Sequence, residues 1–205
     1  NNTFSINGQS ASTSLTGTGY IDKTNGRISS GGLSFISPYG TNYGATTLGP
    51  YCKVGGEVSN VVFQGYANKA HDGFAGNSVI GEWCNLGADT NTSNLKNNYG
   101  IVKSWDYFSN DYKSTGTQYC GLIMGDHSKS GINTMFNTGS VVGIFANIFD
   151  AGFPPKFIPS FSWGGKNGFV THEIKKAIEV AKVVMKRRNV ELDKKTIEIY
   201  KHIFH

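Results

Sequence analysis

The stretch Met124-Gly125-Asp126-His127-Ser128-Lys129-Ser130-Gly131-Ile132-Asn133-Thr134-Met135-Phe136-Asn137-Thr138-Gly139-Ser140-Val141-Val142-Gly143-Ile144-Phe145-Ala146-Asn147-Ile148 decides the fold. Stepping by six from Met124 lands on Ser130, Phe136, Val142 and Ile148, and the residues behind the five positions are Gly125, Gly131, Asn137, Gly143 and Phe149. Upstream, Phe74, Ile80 and Leu86 keep the step, with Gly81 and Gly87 behind the last two, and Leu48-Gly49 and Val54-Gly55 repeat it. One short strand with its corner takes about six residues, and three of them close a triangular coil of about 18. The apolar residue points into the prism and stacks on its equivalent one coil away. A small residue follows it because the chain turns a tight corner there. One aliphatic–glycine pair carries no weight; two blocks of them in register do. The pattern predicts a mainly β protein: a left-handed parallel β-helix of hexapeptide repeats over residues 46–165.

The phase slips between Val54 and Phe74, and again between Leu86 and Met124. The second gap holds the polar and aromatic run from Ser104 to Gln118, read as a loop projecting from a corner. Long loops on solenoids serve either function or packing between subunits. Trp105, Tyr107 and Phe108 on this loop would also suit a carbohydrate-binding surface.

Two other zones flank the repeats. Residues 1–45 are rich in Gly, Ser, Thr and Asn, with Asp22, Lys23 and Arg27 the charged positions, and read as a fibre-like or fused segment. Thr3-Phe4-Ser5-Ile6 and Leu33-Ser34-Phe35-Ile36 alternate as short strands do. Residues 166–205 switch to helical period, with Ile174, Ala177, Ile178, Ala181 and Val184 or Met185 on one face. Thr171 is the expected N-cap, with Glu173 in the first turn. A second helix is expected from Asp193, carrying Ile197, Tyr200 and Phe204. Together they form a two-helix cap over the coil end, which an open solenoid needs. Phe161 and Trp163 are expected to pack that cap against the last coil.

Composition agrees with a turn-rich β protein: 27 of 205 residues are glycine and 16% are charged. With five prolines and no Gly-X-Y period, collagen is excluded. The net charge is +5, and residues 172–205 carry nine Lys or Arg against five Asp or Glu, so the repeats are nearly neutral. The basic residues are not interleaved with aromatics, which argues against nucleic acid. Cys52, Cys84 and Cys120 are odd in number and lack CxxC spacing, so neither a disulfide framework nor a zinc site is expected; no metal is. No apolar run approaches the ~18 residues of a membrane span, and no signal peptide is visible at Asn1.

Several motifs resemble a known family. They are Gly49-Pro50-Tyr51-Cys52-Lys53-Val54-Gly55-Gly56-Glu57, Asn68-Lys69-Ala70-His71-Asp72-Gly73-Phe74 and Asn85-Leu86-Gly87-Ala88-Asp89-Thr90. They continue with Ser93-Asn94-Leu95-Lys96-Asn97-Asn98-Tyr99-Gly100, Gly125-Asp126-His127-Ser128-Lys129-Ser130-Gly131-Ile132-Asn133-Thr134 and Ile158-Pro159-Ser160-Phe161-Ser162-Trp163-Gly164. From Gly49 to Phe204 the chain resembles the C-terminal part of the bifunctional glucosamine-1-phosphate acetyltransferase / N-acetylglucosamine-1-phosphate uridylyltransferase family. The resemblance implies a homotrimer that transfers acetyl from acetyl-CoA, as co-substrate, to an amino sugar phosphate. It implies His71 as general base, with Lys69, Phe74, Asn85 and Asn94 on the substrate side. Phe74 stands where the acetyltransferases usually have Tyr, and Leu95 replaces the Tyr that follows the family's Asn. The nucleotidyltransferase half has no counterpart here, so uridylyl transfer is not expected.

Acetyl transfer to an amine needs a base, oxyanion donors and positioning, and no covalent intermediate. Histidine is the usual base at neutral pH. Lys69 could steer a phosphate and Asp72 could orient the imidazole. The plain structural alternative is that His71 is a corner residue with satisfied hydrogen bonds, and that the asparagines occupy left-handed corners. His127 is read as lining a subunit interface or stacking with Asn and Ser ladders. Two functional classes follow: a cytoplasmic acetyl-CoA-dependent N-acetyltransferase, or a structural trimerisation module of a fibre at a virion or cell surface.

Overall fold

The computed structural model describes residues 45–205 and, upstream of them, the short strands Ser5–Ile6, Gln9–Ser10, Phe35–Ile36 and Thr41–Tyr43. The expected fibre-like or fused character of residues 1–45 otherwise lies outside the described residues. The fold is a left-handed parallel β-solenoid of about seven turns, with two helices near the C-terminus.

Three parallel sheets form the faces of the prism. The first carries Phe35–Ile36, Lys53–Val54, Asn68–Lys69, Asn85–Leu86, Lys129–Ser130, Asn147–Ile148 and Ser162–Gly165. The second carries Thr41–Tyr43, Glu57–Ser59, Phe74–Gly76, Asn91–Thr92 and Met135–Phe136. The third carries Thr47–Leu48, Val62–Phe63, Val79–Ile80, Ile123–Met124, Val141–Val142 and Phe157–Ile158. The ladder therefore reaches upstream of residue 46, since Phe35–Ile36 and Thr41–Tyr43 pair in register with the coil after them.

The six-residue phase holds where it was read without interruption. Met124, Ser130, Phe136, Val142 and Ile148 all point inward and are buried. So do Leu48, Val54, Ile80 and Leu86. Phe74 does not: it faces out of the second sheet, and Ala75 takes the inward place in register with Val58. The corner after it is one residue shorter than six, which moves the phase. On the third face the partners Leu48–Phe63, Phe63–Ile80, Ile80–Met124, Met124–Val142 and Val142–Ile158 are 15, 17, 44, 18 and 16 residues apart. The slips in phase are these unequal coils.

All of the inequality sits at two corners. The third, from the third face to the first, is always six residues from inward residue to inward residue. Its midpoint is Tyr51, Tyr66, Trp83, His127, Phe145 or Phe161, each with φ between 56° and 60°. A left-handed backbone costs a non-glycine residue about 1 kcal/mol, and here stacking and a hydrogen bond offset it. The rings stack in one column, with centroids 4.9 Å apart for Tyr51–Tyr66, 3.9 Å for Tyr66–Trp83, 4.6 Å for His127–Phe145 and 5.1 Å for Phe145–Phe161. Each amide from Tyr66 onward donates to the carbonyl just before the ring one coil earlier, as Tyr66 N does to Pro50 O at 2.8 Å. The residue after each ring is small and buried: Cys52, Ala67, Cys84, Ser128, Ala146 and Ser162. Cys52 Sγ donates to Gln64 O at 2.7 Å, Cys84 Sγ to Gly125 O at 3.1 Å and Ser128 Oγ to Gly143 O at 2.6 Å. Thiols and hydroxyls thus occupy one repeated socket, and none of the three cysteines forms a disulfide.

The long gap between Leu86 and Met124 is an insertion between the second and third faces. It is a two-stranded antiparallel hairpin, Lys103–Asp106 with Asp111–Ser114, rather than an irregular loop. Its ends meet again, with Cys120 N donating to Asn94 O at 2.9 Å. Trp105 stacks on Phe157, 4.2 Å between centroids, which ties the hairpin stem to a later coil.

The solenoid runs on to Gly165 and ends in an antiparallel pairing of Ser162–Gly165 with Gly168–Thr171. That pairing keeps Thr171 extended, so it is not a helix cap. Glu173 is the N-cap of α1 (Ile174–Lys186), without a side-chain capping bond. Ala177, Ala181 and Met185 form the buried face of α1, as the helical period predicts. In α2 (Lys194–Phe204), Asp193 caps through Thr196 N at 2.9 Å. The helices lie along the aromatic column as well as at its end: Phe145, Phe161, Ala177, Ala181, Tyr200 and Phe204 share one apolar cluster. Phe161 packs under them, whereas Trp163 stays 45% exposed on the first face against Phe149. No helix among the described residues is long and apolar enough to cross a membrane.

Candidate functional site

The first-to-second corner of the third coil carries His71 and takes the usual six-residue step, from Lys69 to Ala75, as Leu86 to Thr92 and Ser130 to Phe136 do; the corner one coil earlier, Val54 to Val58, is two residues shorter. Val54 leads to Glu57 through Gly55 and Gly56 alone, whereas Lys69 leads to Phe74 through Ala70, His71, Asp72 and Gly73. His71 and Asp72 stand at the turn of this corner, and both are exposed. Gly73 closes the corner at φ 107°, a conformation a side chain would strain.

Lys69 is an inward residue, not a surface one. It is 1% exposed, and its Nζ donates to Gly55 O at 3.3 Å, His71 O at 3.0 Å and Asp72 O at 3.1 Å. Burial lowers its pKa to about 8, against the opposing pull of Asp72 and Asp89. The reading of Lys69 as a substrate-side residue gives way on this geometry: the ammonium is enclosed, and its bonds hold the His71 corner from inside.

Phe74 and Asn94 meet on the outer side of the second face. Phe74 lies two residues before Gly76, so both face outward in the same strand. A Cβ on Gly76 would fall 2.5 Å from Phe74 Cζ and 2.5 Å from Asn94 Nδ2. Only glycine lets the ring and the amide converge there. Asn94 Nδ2 donates to Asn77 Oδ1 at 2.7 Å, and Phe74 N donates to Asn91 Oδ1 at 2.8 Å. Along the outer surface the order is therefore the His71 corner, the Phe74 ring, then the Asn94–Asn77 pair.

Asn85 stands apart from that line. It is on the first face, exposed, with its Oδ1 accepting from Asn68 Nδ2 at 2.6 Å one coil earlier. The fold brings His71, Phe74 and Asn94 onto one outer face, places Asn85 around the corner and turns Lys69 inside.

His127 lies neither on a surface nor in an Asn or Ser ladder. It belongs to the aromatic column, is 1% exposed, and sits under α2 with Nε2 3.1 Å from Tyr200 Oη. Nδ1 is buried without a partner. Burial lowers its pKa to about 3, with Lys129 adding to the effect, so the ring is neutral.

Two features were not among the sequence candidates. The outward residues of the third face are Val62, Val79 and Ile123, each 40–41% exposed, then Val141 and Phe157. The first face instead presents Lys53, Asn68, Asn85, Lys129 and Asn147. The residue just before each inward position carries this signal in the sequence. The second feature is a cleft of ≈ 480 Å³ below the inserted hairpin, lined by Lys96, Lys103, Asp111, Tyr112 and Lys156. Among the described residues, no three His, Cys, Asp or Glu side chains gather as a metal site.

No family model matches the chain. Two curated relatives do. The bifunctional protein GlmU of Methanocaldococcus jannaschii is 32% identical over 113 residues, which is 55% of this chain and 26% of that protein. The bifunctional protein GlmU of Methanococcus aeolicus is 26% identical over 121 residues, 58% of this chain and 25% of that protein. The match is shorter than the Gly49-to-Phe204 span over which the motifs were read, and the chain spans about a quarter of the length of these relatives. Among solved structures, a mutant of AntD, an N-acyltransferase from Bacillus cereus, in complex with dTDP-4-amino-4,6-dideoxyglucose and coenzyme A, has a TM-score of 0.47 at 12% identity, covering 77% of this chain and 92% of that one. The resemblance read from the motifs is thus present in the sequence comparison: over 113 residues this chain carries a segment similar to part of the bifunctional GlmU proteins.

Proposed function

We propose that the chain is an acetyl-CoA-dependent N-acetyltransferase acting on an amino sugar phosphate, working as a homotrimer, with His71 as general base. The single observation that carries this is the corner that leaves His71 exposed beside the outer face where Phe74 and Asn94 meet over Gly76. In the reaction the acceptor amine attacks the thioester carbonyl carbon, His71 takes the amine proton, and the C–S bond breaks to release the thiol of CoA. Phe74 and Asn94 are the substrate-side residues on the same face, and Asn85 serves from a neighbouring surface. The similarity to GlmU proteins supports the reading. In it the enzyme is cytoplasmic, and sugar phosphate and acetyl-CoA are its small-molecule partners.

The aliphatic outer side of the third face supports the trimer. Val62, Val79 and Ile123 form an apolar stripe of the kind that is covered when copies associate. The same stripe favours a second reading, a structural trimerisation module of a virion or cell-surface fibre, which needs the interface and no chemistry.

Calorimetric titration with acetyl-CoA, alongside an acetyl-transfer assay on glucosamine 1-phosphate with wild type and His71→Ala, separates them. Saturable micromolar binding with turnover lost in His71→Ala is the expected result. No heat up to millimolar acetyl-CoA, from a protein that sediments as a folded trimer, would leave the structural module.

A further inference from the structure

The cleft under the inserted hairpin gathers three lysines with one carboxylate. Lys96 and Lys103 come from the insertion, and Lys156 comes from the segment leading into the last third-face strand. Lys96 Nζ donates to Ile101 O at 2.6 Å and Lys156 Nζ to Lys103 O at 2.8 Å. Each ammonium has three donors, so both are held in place by the hairpin stem with N–H groups left over. Lys156 also lies 5.8 Å above the Tyr112 ring. Burial lowers the Lys156 pKa, and the Lys96 charge adds to it, so the two cations repel each other across the cleft. The ion pairs among the described residues are Lys113–Asp106, Lys176–Glu173 and Lys201–Glu198. None neutralises this cleft, and Asp111 on its wall pairs with no lysine there.

The structure assigns to this cleft a role as an anion subsite, and we propose that it binds the phosphoryl group of a phosphorylated ligand through Lys96, Lys103 and Lys156. Three cations lining a hollow of ≈ 480 Å³, two of them held by backbone carbonyls, suit a phosphomonoester or a diphosphate rather than a single carboxylate. Its position fits the proposed chemistry. Lys96 lies two residues after Asn94, so the cleft follows directly along the chain from the place where Phe74 and Asn94 meet. A ligand anchored by phosphate in the cleft would extend its other end toward His71. That connection rests on the acetyltransferase reading; phosphate binding itself does not. The phosphoryl group has two sources, the adenosine end of CoA or the sugar phosphate.

The test uses calorimetry on the full chain with three probes: inorganic phosphate, adenosine 3′,5′-bisphosphate and glucosamine 1-phosphate. Saturable, salt-sensitive binding of at least one is expected, weakened about tenfold or more in Lys96→Gln/Lys156→Gln at an unchanged melting temperature. Asp111→Asn should tighten the same probe, an effect a damaged fold would not produce. A preference for the bisphosphate assigns the subsite to the co-substrate and one for glucosamine 1-phosphate to the acceptor; either supports the proposal. No saturable binding of any probe at millimolar concentration, or equal affinity in the double variant, overturns it. Acetyl transfer with unchanged KM values in the double variant would remove the subsite and leave the His71 reading standing. Lysine-dependent phosphate binding without any acetyl transfer would do the reverse.

Discussion

The ammonium of Lys69 donates to the carbonyl of His71, two residues further along, at 3.0 Å from inside the prism. The exposed histidine is therefore pinned through its backbone by a buried cation. In Lys69→Met the carbonyls of Gly55 and His71 lose that donor, which should cost about 2 kcal/mol in denaturant unfolding near neutral pH. The pH dependence has a definite sign. The folded pKa is about 8 and the unfolded one 10.5. Between these values the unfolded chain holds the extra proton, so this residue makes wild-type stability rise with pH across that window. An identical slope in Lys69→Met would remove Lys69 as its source.

His127 predicts loss of stability in acid. Its folded pKa is about 3 against 6.5 unfolded, so its contribution is complete above 6.5 and lost as pH falls toward 3. His127→Phe puts the ring of Phe145 and Phe161 into the same column and removes the unpartnered Nδ1. Melting temperatures followed from pH 7 down to pH 4 should fall less steeply in the variant. A parallel fall in both proteins would show that other groups carry the acid transition.

The cysteine sockets predict selective thiol chemistry. Cys52 and Cys84 are buried out of reach of an alkylating reagent in the native fold, and burial pushes the Cys84 thiol up to about 12. Cys120 is the more exposed of the three. Mass spectrometry after alkylation of the native protein should find one adduct, on Cys120, before any other. Cys84→Ser should fold normally because Ser128 already fills the equivalent socket with the same bond, whereas the bulkier Cys84→Val should lose stability by about 1–3 kcal/mol from overpacking.

Gly76 predicts a coupled pair. Gly76→Ala forces a methyl group against Phe74 and Asn94 and should both lower stability, by about 1–3 kcal/mol, and abolish any acetyl transfer. Adding Phe74→Ala should recover part of the stability and none of the turnover. Additive effects in the double-mutant cycle would mean that the ring and Gly76 do not press on each other.

The third face predicts the assembly. Val79→Lys places a charge in the centre of the aliphatic stripe between Val62 and Ile123. Sedimentation should shift from trimer to monomer, with the circular dichroism of the β-helix retained. A trimer that persists would place the interface on another face.

Much of the architecture is legible in the residues, because an inward aliphatic position every six residues has no other good explanation. Met124 through Ile148 and the helical faces of α1 and α2 needed nothing more. Phe74 was assigned to the inside because a large apolar side chain outranks Ala75 in any periodicity, yet the shortened corner put the alanine there. The resemblance put Lys69 on the substrate side, where its charge could steer a phosphate; it is buried because three carbonyls converge on it, a placement rare enough for lysine that spacing does not suggest it. The insertion hid its hairpin, since four-residue strands in polar sequence leave little alternation to see. The convergence of Phe74 and Asn94 depends on a contact across two coils, which single-chain spacing does not reveal.

The constant third-to-first corner makes the molecule behave like a spine with two open sides. Every coil spends the same residues on it, whatever its total length, so an extra loop at either of the other corners leaves the rings above and below in register. The hairpin between Asn94 and Cys120 is one such addition, and its ends lie a hydrogen bond apart. New surface can therefore be gained or discarded at those corners piece by piece. The lysine-lined hairpin is such a graft, while the turn that exposes His71 keeps the standard six-residue step, so the one can change without disturbing the other.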